Sequence, residues 1–536
     1  MKSLFILILS LLLLSIINCY IIDGPGPTTR PTVGQLWPKP QKEERKTGQY
    51  VAIDPKNFNF VISEHTCDIL MEAKLRYEDI IKGMSYYPSA IPKTEPPCTE
   101  YEYDDGSNEI PKVKIRNFTL ILSSECEKYP HLKMDESYTI DVLAHEIRAH
   151  SIWGMLRGLE SFSQLIIPDT NEMLQIEINM VEDYPRFQHR GLLVDTSRHY
   201  ISVDVLKTIL DGMAYNKFNV FHWHIVDDQS FPYVSKKFPE LSEKGAYFAE
   251  MIYTQKSVKE VIEYARFRGI RVLPEFDVPG HTRSWGASHP EILTECGSPY
   301  SGKLGPLNPI KEKTLTFLKS FFEEVSDVFP DHYLHIGGDE VGFECWNSNE
   351  DIKKYVEAKK MTYEQLEDEF NVKAAGIVSD NVKIPIVWQE VLNENLHLKL
   401  PEDSIIQVWK PMWQVEMSRV TTGNWNTLLS SCWYLDKLKT GGDWKNFYDC
   451  EPTAFPGAEK QKQMVLGGEA CMWAEVVNNA NIVSRIFPRA SATAEKLWSD
   501  VKVNNKTEAA PRLEEHTCRL INRGISAQPP NGAGFC

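Results

Sequence analysis

The stretch Tyr333-Leu-His-Ile-Gly-Gly-Asp-Glu-Val341 begins as a short apolar strand, stops at two glycines and then presents two adjacent carboxylates. Glycine lets the backbone turn sharply where a strand ends. On a regular strand Asp339 and Glu340 would point to opposite faces, so they can act together only where the strand has ended. We interpret them as a catalytic acid pair. The alternative for this stretch taken alone is a solvated acidic turn.

The same pattern of an apolar run followed by polar residues recurs along the chain. From Arg186 onward, short apolar runs alternate with charged, helix-like segments, which is typical of repeated βα units. The candidate strands are Gly191–Val194, Val220–His224, Ile270–Phe276, Tyr333–Ile336, Ile384–Trp388, Ile405–Trp409, Thr427–Ser431 and Met464–Ala470. The stretch from Arg186 to Ser499 is long enough for a (β/α)8 TIM barrel, whose active site lies at the C-terminal ends of the strands.

Polar and aromatic residues gather where a barrel site requires them, just after each apolar run. They are Asp195, His224, Asp227, Asp228, Asp277, His281, Asp339, Glu340, Trp388, Glu390, Trp409, Trp433, Tyr434, Asp436, Glu469, Trp473 and Glu475. Aromatic faces pack on the C–H surfaces of pyranose rings, and carboxylates bind sugar hydroxyls. The set therefore predicts a sugar-binding site.

The residues before the barrel divide into three parts. Lys2 and the apolar stretch from Leu4 to Ile17 indicate a signal peptide at 1–19, because the stretch is too short for a membrane span. A proline-rich extended arm follows at 20–40. Strand-like runs and a helical stripe ending near Gln164 then predict a small α/β domain at 41–183, so the barrel with its C-terminal tail occupies 184–536.

Composition indicates the compartment and excludes some partners. The net charge of −16, from 74 acidic and 58 basic residues, argues against a nucleic-acid partner. Of 11 cysteines, those left after signal removal suit an oxidising compartment, and sequons at Asn117 and Asn505 could carry glycans. We expect no stable membrane insertion, and residence in the secretory pathway, in the lysosome or also secreted.

Six motifs together resemble glycoside hydrolase family 20, the lysosomal-type β-N-acetylhexosaminidases, with the eukaryotic α and β subunits as the nearest likeness. They are Leu36-Trp-Pro-Lys-Pro-Gln41, Arg186-Phe-Gln-His-Arg-Gly-Leu-Leu-Val-Asp-Thr-Ser-Arg-His-Tyr200, Phe221-His-Trp-His-Ile-Val-Asp-Asp-Gln229, Glu275-Phe-Asp-Val-Pro-Gly-His281, His335 to Val341, and Gly467-Gly-Glu-Ala-Cys-Met-Trp-Ala-Glu475. The terminal Gly534-Phe-Cys536 agrees with this likeness.

The resemblance implies a retaining exo-β-N-acetylhexosaminidase that removes terminal β-linked GlcNAc or GalNAc from glycoconjugates or chitooligosaccharides. The 2-acetamido group of the substrate would act as nucleophile through an oxazolinium intermediate, an exception to the two-carboxylate scheme. Glu340 would be the general acid and base, Asp339 would accept the acetamido N–H, and Tyr434 would contact the acetamido oxygen. Two carboxylates close together in a partly dry pocket do not both ionise easily, and we expect Glu340 to be the protonated one.

Further roles come from the resemblance alone. His281 and Asp227 are expected to tune Glu340 through a hydrogen-bonded relay, and Asp277 either supports them or caps a loop. The residues expected to bind substrate are Arg190, Trp388, Trp409, Trp473, Asp436 and Glu475. The pair Asp436-Lys437 suggests a neutral 6-hydroxyl in the pocket and hence poor turnover of 6-sulfated sugars.

The resemblance also implies the disulfides Cys67–Cys126, Cys296–Cys345 and Cys518–Cys536, and leaves Cys98, Cys432, Cys450 and Cys471 without an assignment. A homodimer and an acidic working pH are expected by analogy. No cofactor and no metal are expected.

Two other readings stay open at this point. His222 and His224 lie on one face of a strand, as in zinc-dependent barrel hydrolases, and His281 and Asp339 could complete such a site. The chain could also be a non-catalytic glycan-binding protein on a hydrolase scaffold.

Overall fold

A computed structural model describes residues 27–84, 114–168, 174–392, 395–437, 442–534 and 536. The predicted signal peptide, the first part of the arm and Cys98 lie outside these residues. The structure divides into a mixed sheet near the N-terminus and a closed parallel barrel. The strands are β1 Lys42–Ile53, β2 Asn59–Glu64, β3 Lys114–Ile115, β4 Asn117–Leu122, β5 Tyr138–Asp141, β6 Glu146–Ala149, β7 Ile166–Pro168, β8 Leu174–Asp183, β9 His189–Asp195, β10 Val220–His224, β11 Arg271–Glu275, β12 Leu293–Glu295, β13 Leu304–Leu307, β14 Tyr333–His335, β15 Ile384–Trp388, β16 Ile405–Val408, β17 Asn426–Leu429 and β18 Val465–Met472.

The barrel confirms the predicted fold and the eight predicted strands. Its order is β10-β11-β14-β15-β16-β17-β18-β9, and the parallel pairing of β9 with β18 closes the ring. The strands are buried because helices cover the outside, which is why they read as apolar runs rather than alternating ones. Parallel pairing places all the C-terminal strand ends, and the polar residues that follow them, at one end of the barrel.

Helices surround the barrel and cover one face of the N-terminal sheet. They are α1 Asp68–Lys82, α2 Ile152–Leu165, α3 Val203–Tyr215, α4 Glu240–Gly245, α5 Gln255–Arg266, α6 Glu312–Val328, α7 Phe343–Ser348, α8 Glu350–Lys359, α9 Tyr363–Asp380, α10 Trp413–Thr422, α11 Trp444–Asp449, α12 Glu459–Lys462, α13 Ile482–Ile486, α14 Arg489–Trp498 and α15 Lys506–Asn522. Short 3₁₀ helices occupy Arg283–Ala287, Pro290–Ile292 and Gln389–Leu392. Among the described residues, no helix is both long and apolar enough to cross a bilayer.

The N-terminal sheet has the strand order β2-β4-β6-β5-β8-β1-β3, with β7 paired to β8. Helix α2 is buried along its whole length, and its first turn is capped by Ser151, which accepts hydrogen bonds from the backbone N–H groups of Trp153 and Gly154. A helix buried on all sides lies between two layers. Here α2 connects the sheet to the base of the barrel, since Arg157 donates to the backbone oxygens of Arg268 and Gly269.

Ion pairs that are almost fully buried join the two parts. Glu136 accepts from both Arg157 at 2.9 Å and Arg190 at 2.6 Å. Lys217 contacts Asp183 at 2.9 Å with both side chains fully buried. Breaking a buried ion pair by removing one partner is strongly destabilising, so these contacts fix the sheet on the N-terminal end of the barrel.

The described part of the arm is bound to the C-terminal helix α15. Glu515 accepts from the hydroxyl of Thr32 at 2.7 Å and from the backbone N–H of Gly34 at 2.6 Å. Trp37 is fully buried, and Gln164 of α2 accepts from its backbone N–H at 2.8 Å. The arm near the N-terminus and helix α15 near the C-terminus are therefore in direct contact.

Four disulfides are present among the described residues, including the three pairs that the resemblance implies: Cys67–Cys126, Cys296–Cys345 and Cys518–Cys536. The fourth joins Cys432 to Cys450, two residues that sequence reasoning left unassigned. Cys471 is a buried free thiol. The sequon residues Asn117 and Asn505 are exposed, and their glycosylation stays a prediction.

Candidate active site

The two predicted acids lie on a sharply bent turn immediately after β14. Gly337 and Gly338 adopt φ values of 66° and 96°, and Glu340 itself has φ 52°. Left-handed backbone is unfavourable for a residue with a side chain and is found mainly where function or surrounding structure imposes it. Because the chain turns here, the side chains of Asp339 and Glu340 need not point to opposite faces as they would on a regular strand. This agrees with the expectation that the strand ends before these two residues.

Asp339 forms a close carboxyl pair with Asp277, which follows β11. Asp277 accepts from the backbone N–H of Gly338 at 2.7 Å and is 1% exposed, while Asp339 is 8% exposed. Burial and the neighbouring Asp339 carboxylate raise the pKa of Asp277 well above its ordinary value. The raised pKa favours the protonated form of Asp277, and in that form its carboxyl can donate a hydrogen bond to Asp339.

This result changes the expected distribution of protons. The dry carboxyl pair is Asp277 with Asp339, whereas the side chain of Glu340 is 60% exposed at the mouth of the site. The expected partly dry surroundings are therefore found at Asp339 and not at Glu340, and the prediction that Glu340 is the protonated acid stays a prediction.

His281 connects the acids to a second buried carboxylate. Its Nδ1 lies 3.1 Å from Asp227, and its Nε2 lies 3.6 Å from Asp339 and 3.8 Å from Glu340. Burial opposes protonation of the ring, but Asp339 and Asp227 outweigh it and raise the pKa of His281 to about 9. A cationic His281 places positive charge between Asp227 and the two acids.

Four aromatic side chains form a pocket beside the acids. Trp388 and Trp473 have ring centroids 6.2 Å apart, and Trp409 stacks on Tyr434 at 6.0 Å. Burial raises the pKa of the Tyr434 hydroxyl well above its ordinary value, so it stays a neutral donor. Leu193 and the thiol of Cys471 pack behind these rings.

Charged side chains lie next to the aromatic residues, near Trp473. Arg198 lies 3.2 Å from Asp195 and 2.9 Å from Asp227, and its guanidinium packs over the ring of Trp473 at 5.1 Å. Its Nε is buried without a hydrogen-bond partner in the described structure. Glu475 is near enough to act electrostatically on both Arg198 and Asp436, so the predicted Asp436 and Glu475 belong to the same cluster.

Arg190 does not lie in this cluster. It is the second residue of β9, at the N-terminal end of the barrel, and it is fully buried. Its guanidinium donates to Glu136 and to the backbone oxygens of Phe187 and Lys217. The expectation that Arg190 grips sugar hydroxyls is therefore wrong. A residue five positions before the end of a strand lies roughly 16 Å from that end.

Arg198 was missed although the signal was present. It follows the end of β9 by three residues, and the rule that assigns polar residues after strand ends to the site applies to it as directly as to Asp195. Glu390 stands in a similar position after β15 and accepts from Trp409 Nε1 at 2.8 Å. Burial and the nearby Asp339 raise the pKa of Glu390.

A buried network of histidines and carboxylates supports the floor. Glu275 accepts from Trp388 Nε1 at 2.8 Å and from His224 Nδ1 at 2.6 Å, and it lies 3.0 Å from His222 Nε2. Asp227 accepts from His224 Nε2 at 2.7 Å. Burial opposes protonation, but Glu469 and Glu275 raise the pKa of His222 to about 9, and Glu275 and Asp227 raise the pKa of His224 to about 10.

The same network bears on the metal-dependent alternative. Both ring nitrogens of His224 face carboxylate oxygens and donate to them, and so His224 offers no lone pair to a metal. Within the described residues, three groups bring possible ligand atoms within 4.8 Å of one another: His222 with Glu275 and His335, Asp227 with Asp228 and His281, and Asp277 with His281 and Asp339. In the first group, His222 already lies 2.8 Å from Glu469 and 3.0 Å from Glu275, so the charge of the imidazolium is compensated without a metal.

Comparison with known proteins agrees with this arrangement. Residues 187–501 match the catalytic domain of glycosyl hydrolase family 20, and residues 36–165 match a domain described as beta-acetyl hexosaminidase like. The human beta-hexosaminidase subunit beta is 43% identical over 524 residues, covering 96% of this chain and 90% of that protein. The rat subunit alpha is 44% identical over 516 residues, covering 94% of each.

A solved structure also has a similar fold. The X-ray structure of Flavobacterium johnsoniae chitobiase superposes with a TM-score of 0.78 at 30% identity, covering 92% of this chain and 73% of that one. The resemblance drawn from the six motifs is confirmed. The chain belongs to glycosyl hydrolase family 20.

Proposed function

We propose that this glycoside hydrolase is a retaining exo-β-N-acetylhexosaminidase in which the substrate's own 2-acetamido group is the nucleophile. The observation that carries the proposal is the pairing of the buried Asp339 with Asp277, beside the aromatic residues, while the neighbouring Glu340 is exposed. A conventional retaining glycosidase needs an enzyme carboxylate that attacks the anomeric carbon opposite a second, proton-donating one. The raised pKa of Asp277 favours its neutral form, which is a poor nucleophile.

Glu340 would be the general acid and base. Its exposed carboxyl can reach the glycosidic oxygen of a sugar whose remaining chain extends into solvent. It would give its proton to that oxygen as the bond to the anomeric carbon breaks, and it would then take a proton from the water that opens the oxazolinium ring. Cationic His281, 3.8 Å away, would stabilise the carboxylate left after the first step.

Asp339 and Tyr434 would act on the acetamido group. Asp339 would accept the acetamido N–H, which orients the carbonyl oxygen toward the anomeric carbon and stabilises positive charge as the ring forms. The neutral Tyr434 hydroxyl would donate to that carbonyl oxygen. A protonated Asp277 would keep Asp339 in place by donating a hydrogen bond to it.

The remaining residues would bind the sugar. Trp388, Trp409 and Trp473 form walls that pack on the pyranose ring and exclude water. Arg198, Asp436 and Glu475 would bind its hydroxyls, with Arg198 in the role that the family resemblance assigned to Arg190. The names of the relatives, beta-hexosaminidase subunits, support removal of terminal GlcNAc or GalNAc.

The experiment compares initial rates on an aryl β-N-acetylglucosaminide and on the matching β-glucoside, using chelator-treated protein at mildly acid pH. Cleavage of only the acetamido substrate is expected, because the glucoside lacks the nucleophile. Glu340→Gln should lose most of that activity, while Glu344→Gln, an exposed glutamate on α7, should not. Equal cleavage of both substrates would mean that an enzyme carboxylate is the nucleophile. Loss of activity in chelator would favour a metal-dependent hydrolase, and sugar binding without turnover a non-catalytic protein.

We also propose that the protein works as a homodimer in the lysosome or the secreted fluid. The apolar Leu4–Ile17 leader supports entry into the secretory pathway, and the relatives are named as subunits. Light scattering should give about twice the mass of one glycosylated chain. A monomer that is fully active would overturn the dimer.

A further inference from the structure

The loop after β17 carries two of the residues assigned above, Tyr434 and Asp436. On one side it pairs with β18, where the backbone N–H of Leu435 donates to Cys471 O at 2.8 Å and the N–H of Cys471 donates to Trp433 O at 2.9 Å. The loop begins at the Cys432–Cys450 disulfide. Its other side contacts helix α14.

A buried arginine, Arg489, holds the other side of this loop. Arg489, the first residue of α14, is 2% exposed. It donates to Leu435 O at 2.6 Å and to Lys437 O at 3.2 Å. The same guanidinium lies 2.8 Å from Asp443, farther along the loop. Three positions of one segment therefore converge on one side chain.

The two carbonyl groups belong to the residues immediately before and after Asp436. Holding them restricts the backbone at Asp436 and with it the direction of its Cα–Cβ bond. Asp436 itself is half-buried and has one oxygen, Oδ1, buried without a hydrogen-bond partner in the described structure. A carboxylate oxygen left without a partner in this way is available to a ligand hydroxyl.

We propose that Arg489 is a positioning residue for substrate binding, which sets the direction of the Asp436 carboxylate by holding Leu435 O and Lys437 O. The proposal rests on the proposed function, in which Asp436 binds a sugar hydroxyl. A lysine cannot replace it, because the planar guanidinium reaches two carbonyls and a carboxylate at once and an ammonium on a flexible stem does not.

A purely structural role is the competing explanation, and the chain offers a matched control for it. Arg271 and Asp331 form another buried pair, with bonds of 2.7 Å and 3.0 Å. Arg271 is the first residue of β11, at the end of the barrel opposite the site. Arg271→Lys therefore disturbs a similar buried pair without touching the Asp436 loop.

The experiment is a double-mutant cycle on the full chain, with the aryl β-N-acetylglucosaminide as substrate. Arg489→Lys should lower kcat/KM by about 10- to 100-fold, mainly through KM, which is the effect of misplacing a binding group by about 1 Å. In an Asp436→Asn background the same change should lower kcat/KM by less than about 3-fold, because residues that act as a unit are not additive. Arg271→Lys should lower the thermal midpoint comparably but leave KM unchanged in both backgrounds.

Each other outcome overturns some part of the proposal. If Asp436→Asn lowers kcat/KM and Arg489→Lys adds its full effect to it, Arg489 does not act through Asp436. If Asp436→Asn has no effect, the sugar-binding role assigned to Asp436 is wrong and the positioning role is wrong with it. If Arg489→Lys does not fold, Asp443→Asn is the second test, since it weakens the same guanidinium anchor while keeping an amide in place. It should raise KM in the same non-additive way, and an unchanged KM would overturn the proposal.

Discussion

Two replacements of Asp277 test whether its hydrogen bonds or its ability to ionise matter for catalysis. Asparagine keeps the hydrogen bonds but cannot ionise, and alanine removes both. In the structure Asp277 accepts from Gly338 N–H, and its raised pKa favours a protonated carboxyl that can donate to Asp339. An asparagine in the same orientation can make both bonds, with its oxygen toward Gly338 and its NH₂ toward Asp339. An alanine makes neither. Asp277→Asn should therefore keep kcat within several-fold of the unmodified protein, and Asp277→Ala should not.

The size of the alanine effect follows from the bond that it removes. A hydrogen bond to a charged group contributes about 1.5–3 kcal/mol. If Asp339 needs that bond to stay oriented toward the acetamido N–H, losing it lowers kcat by about 10- to 100-fold, at about 1.4 kcal/mol per factor of ten.

The pH profile provides an independent readout. Burial and Asp339 raise the pKa of Asp277, so its proton is lost at a higher pH than that of an ordinary aspartic acid. His281, with a pKa of about 9, loses its proton on the alkaline side. Asp277→Asn has no proton to lose at this position, so the pH profile of kcat should lose the step that belongs to Asp277 and keep the alkaline step that belongs to His281. Rates and thermal midpoints across the pH range test both points, and an asparagine variant as inactive as the alanine one would refute the proton assignment.

Three further tests, two that use protein variants and one that uses a sulfated substrate, have distinct expected outcomes. Arg198→Lys should raise KM several-fold with little change in thermal midpoint, whereas Arg190→Lys should lower the midpoint and leave KM unchanged; the opposite result would restore Arg190 to the site. Gly337→Ala should lower both stability and activity, because an added Cβ would overlap the Asp277 carboxylate and φ is 66°, and normal activity with normal thermal unfolding would contradict this. An aryl 6-sulfo-N-acetylglucosaminide should be turned over poorly because Asp436 repels the sulfate, and equal rates on sulfated and plain substrates would show that Asp436 does not face the 6-position.

The barrel could be predicted because its strands are buried on both sides and so appear as continuous apolar runs. Their ends then identify most of the site, including Asp339 and Trp388. The proton on Asp277 could not be predicted, because it depends on burial and on a neighbour from another strand. Arg190 was misplaced because a motif match says nothing about which end of a strand a residue occupies. The Cys432–Cys450 pair could not be predicted either, since counting cysteines leaves their connectivity open.

The binding of the arm to α15 has a consequence for biosynthesis. Thr32 and Gly34 leave the ribosome early, but their acceptor, Glu515, is made more than 480 residues later. The barrel cannot close before β18 either, because β9 needs it as a neighbour. Contacts between such distant positions form late and slow folding. The nascent chain therefore carries exposed apolar surface, including Trp37, until nearly all of it has been translated, and a premature stop within α15 would leave the first segment of the protein without its binding surface.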